Sequence, residues 1–215
     1  MANIKDRRPL ASRQTGWAAY LTKRLAATSI TPNQISMASM AAAALTGGAF
    51  WASGHADGLY RAVFLFAAAL FCQLRLLCNL LDGMVAIEAG KSAPDGPFWN
   101  EFPDRVADIF IFAGAGFGAG SPGLGFAAAA FAVLTAYVRE HGRACGMPAD
   151  YSGPMAKQHR MALMTFCALL AAFEPLWQGS EFVVAATLWV VAVGSAITVL
   201  RRAMRLVTFL RTVVR

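Results

Sequence analysis

Two short runs carry the groups that could do chemistry. Asn79-Leu-Leu-Asp82-Gly83-Met-Val-Ala86 sets an amide and a carboxylate three residues apart, and Asp104-Arg-Val-Ala-Asp108 sets two carboxylates four apart. Either spacing puts both groups on one face of a helix. The flanking sequence is apolar, and an ionisable group beside hydrocarbon is costly enough to mark a functional site by default. Carboxylates drawn together from two helices repel unless positive charge lies between them. A divalent cation is the first candidate. A helix-end ion-pair network with Arg105 or other arginines is the purely structural alternative.

The elements that must position these groups read as membrane helices. Of 215 residues, 57% are hydrophobic and 14% charged, a composition typical of a polytopic helical membrane protein. Apolar segments fall at about 35–53, 62–81, 106–119, 124–138, 161–177 and 182–200. Several are shorter than the roughly 20 residues a spanning helix needs. The third and fourth must borrow flanking polar residues, from about 99 and to about 145. The expected fold is an all-α integral membrane protein of six transmembrane helices. An N-terminal amphipathic helix over 11–27 precedes them, with Trp17, Tyr20, Leu21 and Leu25 opposite Arg13, Thr22 and Arg24. Thr31 can cap the first span, with Pro32 in its first turn, and the Gly- and Pro-rich stretch 88–98 reads as a loop. The domain reading is a cytoplasmic segment 1–30, a catalytic membrane domain 31–205 and a basic tail 206–215.

Basic residues set the orientation. They cluster before the first span (Lys5, Arg7, Arg8, Arg13, Lys23, Arg24), at the 2–3 connection (Lys91, Arg105), at the 4–5 connection (Arg139, Arg143, Lys157, Arg160) and after the last span. The alternate connections lack Lys and Arg, although Arg61 borders one of them. Both termini are therefore expected in the cytoplasm. The net charge of +7 serves orientation and anionic headgroups rather than nucleic acid, for which no folded basic face remains. The four cysteines suggest packing, not a disulfide framework. The second span then runs inward and the third outward, so Asp82, Asp104 and Asp108 share one depth just below the cytoplasmic surface. An ion pathway would favour the midplane. This depth suits a site that receives a nucleotide from the cytoplasm and a lipid from the bilayer.

At these residues the chain resembles the CDP-alcohol phosphotransferase family, whose signature is D-x2-D-G-x2-A-R followed after a spacer by G-x3-D-x3-D. Here it reads Asn79-x2-Asp82-Gly83-x2-Ala86-Ile87, then Asn100-x3-Asp104-x3-Asp108. Thr31-Pro32-Asn33 before the first span matches as well. Asn79, Ile87 and Asn100 depart from the pattern. A second register, Gly96-x3-Asn100-x3-Asp104, restores the normal spacer but loses an acid, so the register ending at Asp108 is preferred. The resemblance implies two divalent ions, Mg²⁺ or Mn²⁺, on Asp82, Asp104, Asn79 and Asp108, one of them weakened by the uncharged Asn79. It also implies Asp108 as general base and nucleotide binding by Asn33, Asn79, Gly83, Ala86 and Asn100.

Arg75 lies seven residues before Asp82 and faces the same way, as a counter-ion or a phosphate ligand. With Arg139, Arg143, Lys157 and Arg160 it forms the candidate seat for an acceptor phosphate. The function implied is transfer of a substituted phosphate from a CDP-linked donor, foremost CDP-diacylglycerol, to a small, optionally phosphorylated, alcohol with release of CMP. A CDP-alcohol donor with a lipid acceptor, a non-catalytic relative and a cation transporter are the alternatives. The expected location is a bacterial inner membrane among its lipids, with a homodimer one option for assembly.

Overall fold

Thr31 starts the first long helix with a reciprocal cap. Its hydroxyl accepts from the Gln34 N–H at 3.2 Å, and the Gln34 side chain accepts from the Thr31 N–H at 2.9 Å. The computed structural model describes residues 15–88, 90, 94–177 and 182–213. The expected basic residues Lys5, Arg7, Arg8, Arg13, Lys91 and Arg215, and residues 11–14 of the amphipathic segment, lie outside them. The helices are α1 (Gly16–Ala26), α2 (Pro32–Ser53), α3 (Gly58–Glu88), α4 (Gly96–Gly118), α5 (Pro122–Ala144), α6 (Lys157–Ala172) and α7 (Val183–Val213). A 3-10 turn, Glu174–Trp177, follows α6. Among them α2, α3, α5 and α7 are long and apolar enough to cross a membrane. As the short apolar runs required, α4 and α5 extend into polar sequence, α4 from Gly96 and α5 to Ala144.

The packing has the character of a protein immersed in lipid. Large apolar side chains such as Leu59, Leu70, Trp189 and Leu200 point outward, while Ser39, Thr46, Ser195 and Thr198 are buried between helices. Against α2, α4 approaches at backbone distance. A Cβ on Gly47 would lie 2.2 Å from the Phe110 carbonyl oxygen, and one on Gly114 equally close to that of Gly47. Only glycine fits there. The main core gathers Phe50, Leu65, Ile111, Phe112, Met161 and Leu188. A smaller one, Ile35, Leu81 and Val85, takes Leu21 and Leu25 of α1 against its flank. So α1 is moored to the end of α3 that carries Asp82.

One detail of α1 differs from the expectation. Thr22, assigned to the polar face, is fully buried, while Trp17 and Tyr20 remain half exposed. Burial is tolerable because the Thr22 hydroxyl donates to the Ala18 carbonyl at 2.7 Å. Arg61, the exception in the charge pattern, is also accounted for. It is buried against Glu174 at 3.3 Å and donates to the Ala171 carbonyl at 3.0 Å, so it pins the end of α6 to α3.

Candidate active site

Arg75, Asn79 and Asp82 stack along one face of α3, opposite Asp104 and Asp108 of α4. Lys157 and Arg160 reach the same place from the first turn of α6, and Ser36 and Ser39 from α2. Buried Asp104 is the hub. Its Oδ1 accepts from Asn79 at 3.1 Å, from Arg75 at 3.4 Å and from the Lys157 ammonium, while Arg105 approaches Oδ2 at 3.7 Å. Asp108 is wholly buried. Its Oδ2 accepts from Arg160 at 2.7 Å, and its Oδ1 lies 3.6 Å from Arg75 with no hydrogen-bond partner. Asp82 accepts from the Ser36 hydroxyl at 2.8 Å and forms no ion pair with a described residue. The structure thus brings Arg75, Asn79, Asp82, Asp104, Asp108, Lys157 and Arg160 together.

Arginine and lysine already balance much of this charge, as the structural alternative anticipated for Asp104 and Asp108. Among the described residues, no three carboxylate, imidazole or thiolate groups converge on one point as the side chains stand. Two orphans remain. Among the described residues, Asp82 is a buried carboxylate without an ion-pair partner, and Asp108 Oδ1 is a buried oxygen without a donor. Of the cations on these acids Lys157 is the most exposed, its side chain 24% open at the mouth, whereas Arg75 and Arg160 are sealed. Its ammonium sits on Asp104, within electrostatic reach of Asp82, where a bound cation would be expected. With Lys157 swung aside, the oxygen donors left are those that suit one hard divalent ion.

The remaining candidates are more dispersed. Arg139 of α5 is engaged by Glu101 and Glu140 and stacks on Tyr151 at 5.2 Å; Arg143 donates to Glu140 at 3.1 Å and is exposed. Neither contacts the carboxylate cluster in the described geometry. Gly83 and Ala86 follow Asp82 along α3 and are half-buried, whereas Asn100 is exposed one turn before Asp104. Asn33 donates to Asp95 at 3.1 Å, and Asp95 also accepts from the Trp99 indole at 2.8 Å, which ties the start of α2 to the start of α4.

Several participants were not singled out in the sequence. Ser36 and Ser39 orient Asp82 and Asn79, Glu101 holds Arg139 and Arg105, and Arg202 anchors the 145–156 connection. Arg202 donates to the carbonyls of Ser152 at 3.0 Å and Thr135 at 2.6 Å. In that connection, outside the helices, burial would raise the Asp150 carboxyl, but hydrogen bonds from Ser152 and Arg205 hold it below its ordinary range. The i, i+3 spacing of Ser36 and Ser39 was the one available signal.

No protein-family model matches the sequence. The chain is 24% identical over 196 residues to phosphatidylinositol phosphate synthase of Streptomyces avermitilis, covering 87% of this chain and 75% of that one. It is 29% identical over 205 residues to the enzyme of that name from Mycobacteroides abscessus, covering 90% and 86%. Mycobacterium tuberculosis phosphatidylinositol phosphate synthase, solved with CDP-DAG bound, superposes with a TM-score of 0.73 at 19% identity, covering 88% of this chain and 92% of that one. The same enzyme in complex with manganese and citrate gives 0.74, covering 89% of each chain. At that identity the superposition establishes a shared fold. With the sequence relatives and the motif on α3 and α4, it supports a divergent member of the CDP-alcohol phosphotransferase family.

Proposed function

We propose that this chain is an integral membrane phosphatidyltransferase that moves a phosphatidyl group from CDP-diacylglycerol to a hydroxyl of a small polar alcohol, releasing CMP. The observation that carries this reading is that Arg75 of α3, on the helix face that also carries Asn79 and Asp82, bridges Asp104 and Asp108 of α4, in a fold shared with an enzyme solved with CDP-DAG bound. The relatives named phosphatidylinositol phosphate synthase support a phosphorylated polyol as acceptor.

Asp108 acts as general base in this scheme. Arg160 holds its Oδ2 and fixes the carboxylate, leaving Oδ1 to take the proton of the acceptor hydroxyl. The deprotonated oxygen bonds to the phosphatidyl phosphorus, the bond from that phosphorus to the CMP oxygen breaks, and CMP leaves with the electron pair. Asp82, Asp104 and Asp108 would hold Mg²⁺ or Mn²⁺, which when bound neutralises diphosphate charge and stabilises the leaving phosphate. Lys157, released from Asp104, is placed to meet a phosphate oxygen. Asn33, Gly83, Ala86 and Asn100 flank this centre as the nucleotide side. Arg139 and Arg143 border it as the acceptor side once their glutamates are exchanged for phosphate.

In this reading α2–α7 all cross the bilayer, within a catalytic domain spanning 31–205. At 16 residues α6 is only about 24 Å long, and the turn Glu174–Trp177 completes its crossing. The termini and the site mouth face the cytoplasm of a bacterium, the protein sits in the inner membrane among its lipids, and two copies assemble as a homodimer. One observation favours a second reading, a non-catalytic lipid or nucleotide binder: Asn79 replaces an acid and the surviving acids of α4 are ion-paired. Release of CMP from CDP-diacylglycerol by the purified protein, with and without Mn²⁺, separates the two.

A further inference from the structure

We infer that this site takes one divalent cation rather than two, and that the Arg75 guanidinium supplies the charge of the second. The inference rests on the metal-dependent reading above. Arg75 is fully buried, and its Nη2 lies 3.4 Å from Asp104 Oδ1 and 3.6 Å from Asp108 Oδ1. It bridges the two acids of α4 as a bound cation would. A guanidinium cannot lose its proton in a protein, and a buried one cannot turn to water, so this charge is permanent.

Asn79 is matched to that arrangement. Its amide nitrogen donates to Asp104 Oδ1 at 3.1 Å, and its oxygen accepts from the Ser39 hydroxyl at 3.2 Å. An aspartate there would set two carboxylate oxygens against each other with no ion between them. The position instead holds a donor, and its oxygen is hydrogen-bonded to Ser39.

Charge balance gives the count. With Lys157 swung aside at the mouth and Arg105 assigned to Glu101 at 3.2 Å, three carboxylates, Asp82, Asp104 and Asp108, face two guanidiniums that are buried and fixed, Arg75 and Arg160. One negative charge remains, localised on Asp82, which has no ion-pair partner among the described residues. A single divalent ion leaves one positive charge to meet the donor diphosphate. Two such ions would leave three positive charges packed with two arginines in a low-dielectric interior, where repulsion is poorly screened. Arg75 also keeps Nε and Nη1 without hydrogen-bond partners.

Equilibrium dialysis of Mn²⁺ alone against the purified full chain, with manganese counted by mass spectrometry and spin–spin coupling read by electron paramagnetic resonance, tests the count. The wild type is expected to bind one Mn²⁺ per chain with an uncoupled spectrum, and Asp82→Asn to bind none. Asn79→Asp with Arg75 retained should still bind one. The double variant Asn79→Asp/Arg75→Met should bind two, with a coupled spectrum. Two ions on the wild type, or two on Asn79→Asp alone, would overturn the role given to Arg75 while leaving the enzyme reading intact. No ion on either the wild type or the double variant would overturn the metal-dependent reading itself.

Discussion

Arg160 of α6 reaches Asp108 of α4 at 2.7 Å, with both side chains 99% shielded from solvent. The other Arg160 terminal nitrogen donates to the Met155 carbonyl at 2.9 Å and to Thr135 at 3.3 Å. One side chain therefore joins the acid of α4, the α5 helix and the loop that enters α6. Removing one partner of such a pair leaves a buried charge unmatched, at about 3–5 kcal/mol. Arg160→Met is expected to cost stability of that order, read as a lowered thermal midpoint in detergent. Arg160→Met/Asp108→Asn should recover much of the loss, because no orphan charge remains. Equal midpoints for the single and double variants would show that Asp108 is not the group Arg160 serves.

Asp108→Asn keeps shape and hydrogen-bonding capacity but removes the proposed base. It is expected to bind the CDP donor within a few-fold of wild type while transfer falls by about 10²–10⁴, the range general bases supply. Donor binding and single-turnover CMP release, measured side by side, decide the point. A loss of donor binding as large as that of Asp82→Ala would make Asp108 chiefly a metal ligand.

Asn79→Asp adds a carboxylate beside Asp104 while Arg75 stays in place to offset it. The single ion should bind more tightly, and the Mn²⁺ concentration for half-maximal CMP release should fall by on the order of tenfold, equivalent to about 1.4 kcal/mol. A metal titration of both proteins checks this. Unchanged curves would place Asn79 outside the influence of the ion.

The contact of α2 with α4 carries its own test. Gly47→Ala forces a methyl group into the Phe110 carbonyl, whereas a Cβ on neighbouring Gly48 meets nothing within 4 Å. Gly47→Ala should cost about 1–3 kcal/mol through overpacking. Gly48→Ala should be neutral or stabilising by roughly 0.5–1 kcal/mol through helix propensity. Thermal unfolding of the two variants in one detergent gives the comparison. Since α4 carries Asp104 and Asp108, Gly47→Ala should also depress transfer.

Most of the architecture was legible because its signals are local. Apolar runs mark the helices, Thr31 and Pro32 mark a start, and the i, i+3 and i, i+4 spacings mark the faces that hold Asn79, Asp82, Asp104 and Asp108. Arg75 was legible as a cation on the same face as Asp82. Its choice of both acids of α4 was not, because that depends on how closely α3 and α4 approach. The same limit hid the roles of Ser36, Ser39 and Arg202, whose partners lie 36 or more residues away in every bond they make to the site or its loop. The reading of Arg139 and Arg143 as phosphate ligands missed Glu101, which engages Arg139 across a helix interface and leaves no periodic trace, and passed over Glu140, whose i, i+3 spacing to Arg143 lies in the sequence. Thr22 was misplaced for a similar reason: its hydroxyl is satisfied within α1, so polarity did not predict exposure.

The central claim is that Asp82, Asp104 and Asp108 form a metal-dependent centre for phosphatidyl transfer. The most direct measurement is CMP release by the purified chain in vesicles containing CDP-diacylglycerol, with Mg²⁺ or Mn²⁺ and a panel of small polyols and their phosphates. The account predicts release that requires both the metal and one acceptor, with a phosphatidyl product formed in equal amount. Asp82→Ala and Asp104→Ala, inserted and purified normally, should each abolish it. Release that persists in either variant at saturating metal, or its absence from the wild type with every acceptor although CDP-diacylglycerol binds, would contradict the account.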